Sequence, residues 1–328
     1  MRLDRFITLN LVRPLMGLRH LGLRTSSTLP ILMYHSISDD PEPGVHPYYR
    51  VCTSPRRFTD QMQWLKDNGY QGVTLAAGLA WLNSQPLPPH LLTSSTKPVA
   101  LTFDDGFRDF YTAAFPILLQ HGFRASMFLP TAFVGDERRA FRPRGSSRLS
   151  TIRDCLTWSE VRELHAAGIQ FGSHTVNHPK LVDLALSEIE SEISNSKSVI
   201  EHQLSASITT FAYPYAFPQA EKHFAEAFCQ LLKRVGYESC VTTEVGRVRP
   251  GDDWFRLTRL PVNSADDDDL LRSKLAGHYD WLAFPQAVVK KIKHAVRPAR
   301  KQTDAPVQSM ISGPATTNSS LPLGDKQA

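Results

Sequence analysis

The chain has 328 residues, of which 41% are hydrophobic, so it can bury a substantial core in a single domain. Its net charge of +5 sits at the two ends, because residues 1–24 hold five arginines and one aspartate and residues 289–328 hold seven Lys or Arg and two Asp. The residues between them are net acidic, and no nucleic-acid motif is present. We therefore expect no nucleic-acid partner.

Four widely spaced cysteines without a Cys-x-x-Cys pair exclude a zinc ribbon and argue against a disulfide scaffold. Buried free thiols suit a reducing compartment, although two bridges are also open to four cysteines.

The first segment, Met1 to Arg24, alternates arginines with apolar residues. Arg13 and Pro14 interrupt the apolar core that a signal peptide needs, and the segment is too short and too charged to span a bilayer. We expect no secretion signal. Either the segment lies at a membrane interface with its arginines toward lipid phosphate, or it is a basic extension packed on the domain.

Apolar runs, caps and glycines predict alternating strands and helices along the rest of the chain. The predicted strands are 29–35, 73–75, 98–103, 125–130, 169–173, 209–213, 237–242 and 256–262, and the predicted helices begin near residues 54, 108, 157, 186 and 220. Residues 138–151 read as an irregular basic loop, the acids 266–269 as helix-start charge, and the chain from about 299 as disordered. Such alternation favours parallel βαβ units, without separating an open sheet from a barrel.

The strand at residues 98–103 delivers two adjacent acids, Asp104 and Asp105, followed by Gly106. Carboxylates at the end of a buried strand need a cation, a proton or hydrogen bonds. The arrangement is consistent with a metal site, and equally with a strand-ending turn in which the acids bond the local backbone.

Two histidines favour the metal. His174 and His178 leave the end of the strand at 169–173 four residues apart, and with Asp105 they would form a two-histidine, one-carboxylate site with an open position for water. Taken singly, each histidine is more simply a core or surface residue.

A third strand, residues 209–213, ends in Pro214 and Tyr215. Together the Thr-Phe-Asp-Asp-Gly segment, the Ser-His-Thr-Val-Asn-His-Pro segment and this Pro-Tyr resemble the polysaccharide deacetylase family, the carbohydrate esterases with the NodB-homology domain. Residues 31–36 and 259–262 resemble its exopolysaccharide-associated branch.

The resemblance implies an irregular (β/α)7 barrel in which residues 29–285 form the catalytic domain, after a basic extension at 1–28 and before a basic, low-complexity tail at 286–328. It implies a divalent metal, with zinc expected, on Asp105, His174 and His178. Asp104 would act as the general base.

The resemblance also implies contacts around the reacting group. The backbone N–H of Tyr215 would stabilise the oxyanion, and Pro214, Tyr215 and Arg259 would meet the substrate. Trp158 would line the cleft, with plain packing as its alternative.

Two positions depart from the family pattern. Many members carry an arginine where this chain has Ala212, so Asp104 lacks an expected cationic partner unless Arg259 replaces it. The histidine that serves as general acid has no clear counterpart. His278 is the nearest candidate, and a surface histidine is its alternative.

We therefore predict a metal-dependent hydrolase that removes acetyl groups from N-acetylated sugars, in a polymer or a lipid-linked precursor. An O-acetyl esterase and an inactive carbohydrate-binding member of the same fold are the alternatives. A zinc protease is disfavoured because the His-x-x-x-His here lacks the glutamate of that motif. From the basic ends we expect a cytoplasmic protein that contacts the inner membrane peripherally.

Overall fold

The computed structural model describes residues 2–17, 27–84, 96–141 and 152–295. Residues 1–296 form one compact unit, and the described residues all lie within it. The low-complexity tail predicted from about residue 299, like most of the loop predicted at 138–151, lies outside the described residues.

Parallel strands dominate the described chain. The strands are β1 (Ile31–Tyr34), β2 (Ser36–Ile37), β3 (Cys52–Thr53), β4 (Tyr70–Val73), β5 (Lys97–Phe103), β6 (Ser126–Leu129), β7 (Ala140–Phe141), β8 (Arg153–Asp154), β9 (Gln170–Ser173), β10 (Thr210–Ala212), β11 (Ser239–Val245) and β12 (Leu257–Pro261).

Seven of these strands close a ring in the order β1-β12-β11-β10-β9-β6-β5, and β1 pairs again with β5. Every pairing within the ring is parallel, and β4 adds to the first half of β5. The predicted (β/α)7 barrel is confirmed. Because all the strands run the same way, their carboxyl ends meet at one rim of the barrel.

Helices surround the ring. They are α1 (Leu3–Ile7), α2 (Arg13–Gly17), α3 (Pro55–Asp67), α4 (Leu75–Leu82), α5 (Phe115–His121), α6 (Trp158–Ala166), α7 (Leu186–Leu204), α8 (Lys222–Val235), α9 (Asp268–Ala276) and α10 (Ala283–Ala295). The π-helical turns Thr8–Val12 and Phe110–Ala114 lead directly into α2 and α5, which both have proline as their second residue. Proline lacks an N–H and crowds the preceding turn, and a wider turn relieves both problems.

Several predicted boundaries were wrong. The strand placed at 73–75 lies at Tyr70–Val73, and the helix α4 behind it was not predicted. This helix is apolar on all sides and contains Gly78, where a Cβ would lie 2.9 Å from Leu29 Cδ2. The glycine lets the helix approach the barrel closely. Helix propensity disfavours glycine and does not report such tertiary contacts, so it does not predict this helix.

Two further elements can be compared with the prediction. The helix expected to begin near residue 157 is α6, and Thr157 caps it by forming a capping box with Glu160. Residues 140–141, inside the predicted irregular loop, pair as an antiparallel strand with Arg153–Asp154.

The N-terminal segment packs on the barrel domain. Arg2 bonds the buried Asp266 at 2.7 Å, Arg5 pairs with Asp267, and Arg13 lies 3.1 Å from Asp269. The acidic run therefore does more than start α9, although Asp267 does cap that helix. The domain boundary at residues 28 and 29 stays a prediction.

All four cysteines are buried and free. Among the described residues, no helix is both long and apolar enough to cross a membrane.

Candidate functional site

The acid pair lies at the rim where the carboxyl ends of the strands meet. Asp104 follows β5 directly, and its N–H donates to the carbonyl of Tyr34 at the end of β1. Asp105 and Gly106 both have left-handed backbone, with φ of 73° and 64°. That turn holds both carboxylates buried at one point of the rim.

Arg259 pairs with Asp104 and is the replacement cation that the sequence suggested. Its two terminal nitrogens donate to the two oxygens of Asp104 at 2.8 Å each, and its Nε donates to the Thr242 carbonyl. Burial alone would raise the pKa of Asp104, but the guanidinium outweighs burial and holds it well below its usual range. Because Arg259 is only 1% exposed, it lies behind the carboxylate, and its predicted substrate contact stays a prediction.

Three donor atoms converge beside this pair. Asp105 Oδ1 lies 3.6 Å from His174 Nε2 and 3.4 Å from His178 Nε2, and the two imidazole nitrogens are 3.1 Å apart. All three residues are buried, and Asp105 Oδ1 has no hydrogen-bond partner in the described chain. The structure therefore brings together the three predicted ligands.

The ring of His174 is oriented by the backbone. Its Nδ1 lies 2.7 Å from the Ala212 carbonyl, an acceptor only, so Nδ1 carries the proton and Nε2 points a lone pair at the cluster. Burial lowers the pKa of both histidines and favours their neutral forms. Ala212, at the position where the resemblance implies an arginine, thus contributes its carbonyl.

The donor set fits a divalent cation. Burial, and then the neighbouring Asp104, raise the pKa of Asp105 to about 8, because two adjacent buried carboxylates resist carrying charge together. A cation would relieve that repulsion and fill the unpartnered position at Oδ1. Two imidazoles and one carboxylate form a set that suits zinc.

A glutamate on α7 fixes the loop between His174 and His178 by hydrogen bonds. Glu192 accepts from the N–H groups of Val176 and Asn177 at 2.9 Å and from the Asn177 side chain at 2.7 Å. Thr175 and His178 have positive φ, 70° and 52°. Such strained backbone persists only where neighbouring contacts fix it, and it is concentrated here at the site.

The predicted substrate contacts lie at different depths. Tyr215 has φ of 59°, and its ring centroid is 4.5 Å from that of His178, so the residue borders the cluster. Pro214 is buried beside it. Trp158 belongs to the hydrophobic core. This is the plain packing that was the alternative to lining the cleft. The oxyanion role of the Tyr215 N–H stays a prediction.

His278 lies away from these groups. It follows Gly277 at the end of α9, and a Cβ at Gly277 would collide with Arg247, which contacts Thr28 just before β1. This is the amino end of the barrel strands, opposite the rim that carries Asp104 and Asp105. The structure therefore does not support His278 as the general acid.

A different histidine lies at the rim. His35 follows β1, and its Nε2 is 3.9 Å from Asp104 Oδ2. Its side chain is 21% exposed, whereas the two metal-candidate imidazoles are almost fully buried. The signal was present in the sequence as Tyr34-His35-Ser36 at the end of the first strand. Its position beside Asp104 was not predicted because β1 meets β5 only on closure of the ring.

The fold and the site define a parallel (β/α)7-barrel protein with an Asp–His–His cluster and a separate, arginine-paired aspartate at the carboxyl rim. The model of the polysaccharide deacetylase family matches residues 92–240 of this chain.

Individual proteins show the same similarity. YxkH of Bacillus subtilis (strain 168), assigned to the polysaccharide deacetylases, is 29% identical over 235 residues, or 72% of this chain and 71% of that protein. The poly-beta-1,6-N-acetyl-D-glucosamine N-deacetylase of Escherichia coli (strain K12) is 32% identical over 148 residues, which are 44% of this chain and 20% of the enzyme. This chain therefore spans about a fifth of that relative.

Among solved structures, the Streptococcus pyogenes deacetylase PplD in complex with acetate superposes with a TM-score of 0.60 at 27% identity. The match covers 76% of this chain and 99% of that one.

Proposed function

We propose that this protein is a metal-dependent hydrolase that removes acetyl groups from N-acetylated sugars, with N-acetylglucosamine polymers as the first substrate class to test. One observation carries the proposal: three buried donors converge next to an aspartate that is held ionised and is not one of them. The names of the relatives, which include N-acetylglucosamine polymer deacetylases, support the substrate class.

Asp105, His174 and His178 would hold the cation, and we propose zinc. When bound, the cation would supply Lewis acidity, polarising an acetyl carbonyl and acidifying water. The chain fixes where that chemistry occurs, because the ligands come from the rim ends of β5 and β9, which lie on either side of β6.

Asp104 would accept the proton of the attacking water. Its ion pair with Arg259 keeps it charged, and each carboxylate oxygen retains a lone pair beyond the bond that it already accepts. The departing amine needs a proton in return. His35, whose Nε2 lies 3.9 Å from Asp104 Oδ2, would carry that proton to the amine.

The test is mass spectrometry of N-acetylglucosamine oligomers incubated with the full chain and zinc. We expect a loss of C2H2O for each acetyl group removed, with release of a free amine, and we expect Asp104→Asn to abolish it. Asp60→Asn, which changes an exposed acid on α3, is the matched control and should retain activity.

Other outcomes would point elsewhere. Acetate release from O-acetylated sugars alone would indicate the esterase. No turnover of either substrate, with metal bound, would indicate an inactive carbohydrate-binding member.

A further inference from the structure

Residues 3–17 form a continuous helical segment whose charged side chains contact the domain. Arg5 pairs with Asp267 and Arg13 with Asp269, and the buried Asp4 accepts from the Tyr279 hydroxyl. The outward surface carries large apolar side chains instead: Leu3, Phe6, Leu11 and Leu15, which are between 44% and 65% exposed. A helix on a protein surface ordinarily has the reverse arrangement.

The helix α10 has a second exposed apolar face. Its outward side chains are Phe284, Val288, Val289 and Ile292, and Phe284 is 77% exposed. The short helical turn before α10 contains Trp281, whose indole N–H donates to Thr8 Oγ1 at 3.0 Å. The two helical segments are thus in direct contact.

Within α10, the exposed side chains at positions 284, 288 and 292 recur every four residues and so lie along one side of the helix. We call the exposed apolar side chains of these two contacting segments together the apolar face.

The sequence is basic where α10 ends. Residues 290–301 contain six Lys or Arg and no acid. Three of the six, Lys290, Lys291 and Lys293, belong to α10, and Lys291 is exposed. In the N-terminal segment, by contrast, Arg2, Arg5 and Arg13 already pair with acids of the domain.

We propose that the apolar face docks on an anionic membrane surface, with both helical segments lying in the interface. Exposed apolar side chains combined with a basic run are the two signals that together hold a protein on anionic lipid. The contact differs from the one expected from the sequence, because Arg2, Arg5 and Arg13 pair with the domain, whereas Phe6 and the leucines are exposed.

The test is sedimentation of the full chain with vesicles of phosphatidylcholine alone or of phosphatidylcholine with phosphatidylglycerol. We expect binding to the anionic vesicles that weakens as salt is added, and at least about a tenfold loss in the double variant Leu15→Asp with Phe284→Asp. Leu119→Asp changes an exposed leucine on α5, 47% exposed, and should bind like the wild type. Thermal melting of each variant confirms folding.

The proposal is overturned if the wild type ignores anionic vesicles, or if Leu119→Asp and the double variant lose binding equally. It is also overturned if gel filtration shows a dimer that the double variant dissociates while vesicle binding is absent. The face would then join two copies of the chain. None of these readouts depends on catalysis.

Discussion

At the scale of single residues, Arg259 determines the charge state of Asp104. Replacing it with methionine keeps much of the volume but leaves a buried carboxylate without its cation. We expect Arg259→Met to lose stability by about 3–5 kcal/mol, as when one partner of a buried ion pair is removed, and to lose activity. Thermal or urea unfolding and the sugar assay measure the two effects.

Arg259→Lys is the informative companion, because it keeps the charge and loses the paired hydrogen bonds. Its stability and its activity should lie between those of the wild type and those of Arg259→Met. A methionine variant as stable and active as the wild type would show that Asp104 does not need this cation.

Glu192 acts on the candidate metal site through the loop between His174 and His178. Val176 and Asn177 donate three hydrogen bonds to it between the two metal-candidate histidines. We expect Glu192→Ala to weaken metal affinity by about 10- to 100-fold, the usual effect of losing a group that orients a ligand. Competition with a metal-binding dye measures this affinity. Glu190→Ala, an exposed acid on the same helix, should leave it unchanged.

At the scale of elements, α6 depends on a charged cap. Burial alone would raise the pKa of Glu160, but hydrogen bonds from Arg138, the Thr157 N–H and Arg108 outweigh it and hold the pKa at about 2. The folded-state pKa lies below the ordinary value of 4.5. The charge therefore stabilises the protein above pH 4.5, and this contribution is lost as pH falls toward 2.

Glu160→Gln should accordingly lower stability near pH 7 by about 1–2 kcal/mol. The gap between variant and wild type should close on acidification, as followed by urea unfolding at several pH values. A gap that stays constant with pH would assign the loss to packing.

Elements with strong local signals could be predicted, and those fixed by tertiary contacts could not. The strand before Asp104 and the strand before His174 are short runs rich in apolar residues, so pattern alone located them. The packing of the N-terminal segment depends on ion pairs between residues more than 250 positions apart. The pairing of Arg259 with Asp104, 155 residues apart, likewise needed the closed ring, and Arg259 could be suggested only as a replacement cation.

At the scale of the whole molecule, the candidate metal would link strands on either side of β6. Asp105 follows β5, whereas both histidines follow β9. A cation bound only by the folded barrel would stabilise it by about 4 kcal/mol at a thousandfold excess over its dissociation constant. Chelation should therefore lower the melting temperature of the entire unit.

Asp105→Asn separates the stabilisation by a bound cation from the cost of burying two adjacent carboxylates without one. Without metal, the wild type buries the Asp105 carboxylate, which has an unpartnered oxygen, beside ionised Asp104. The Asp105→Asn variant should therefore melt at the same temperature as the wild type or higher. With zinc, the wild type should become the more stable protein, because the variant has lost a charged ligand. Calorimetry in chelator and in zinc measures whether the order of the two melting temperatures reverses. His202→Asn, an exposed histidine on α7, should respond to zinc as the wild type does. A variant less stable than the wild type in chelator, or equally stabilised by zinc, would contradict the assignment of Asp105 as a ligand.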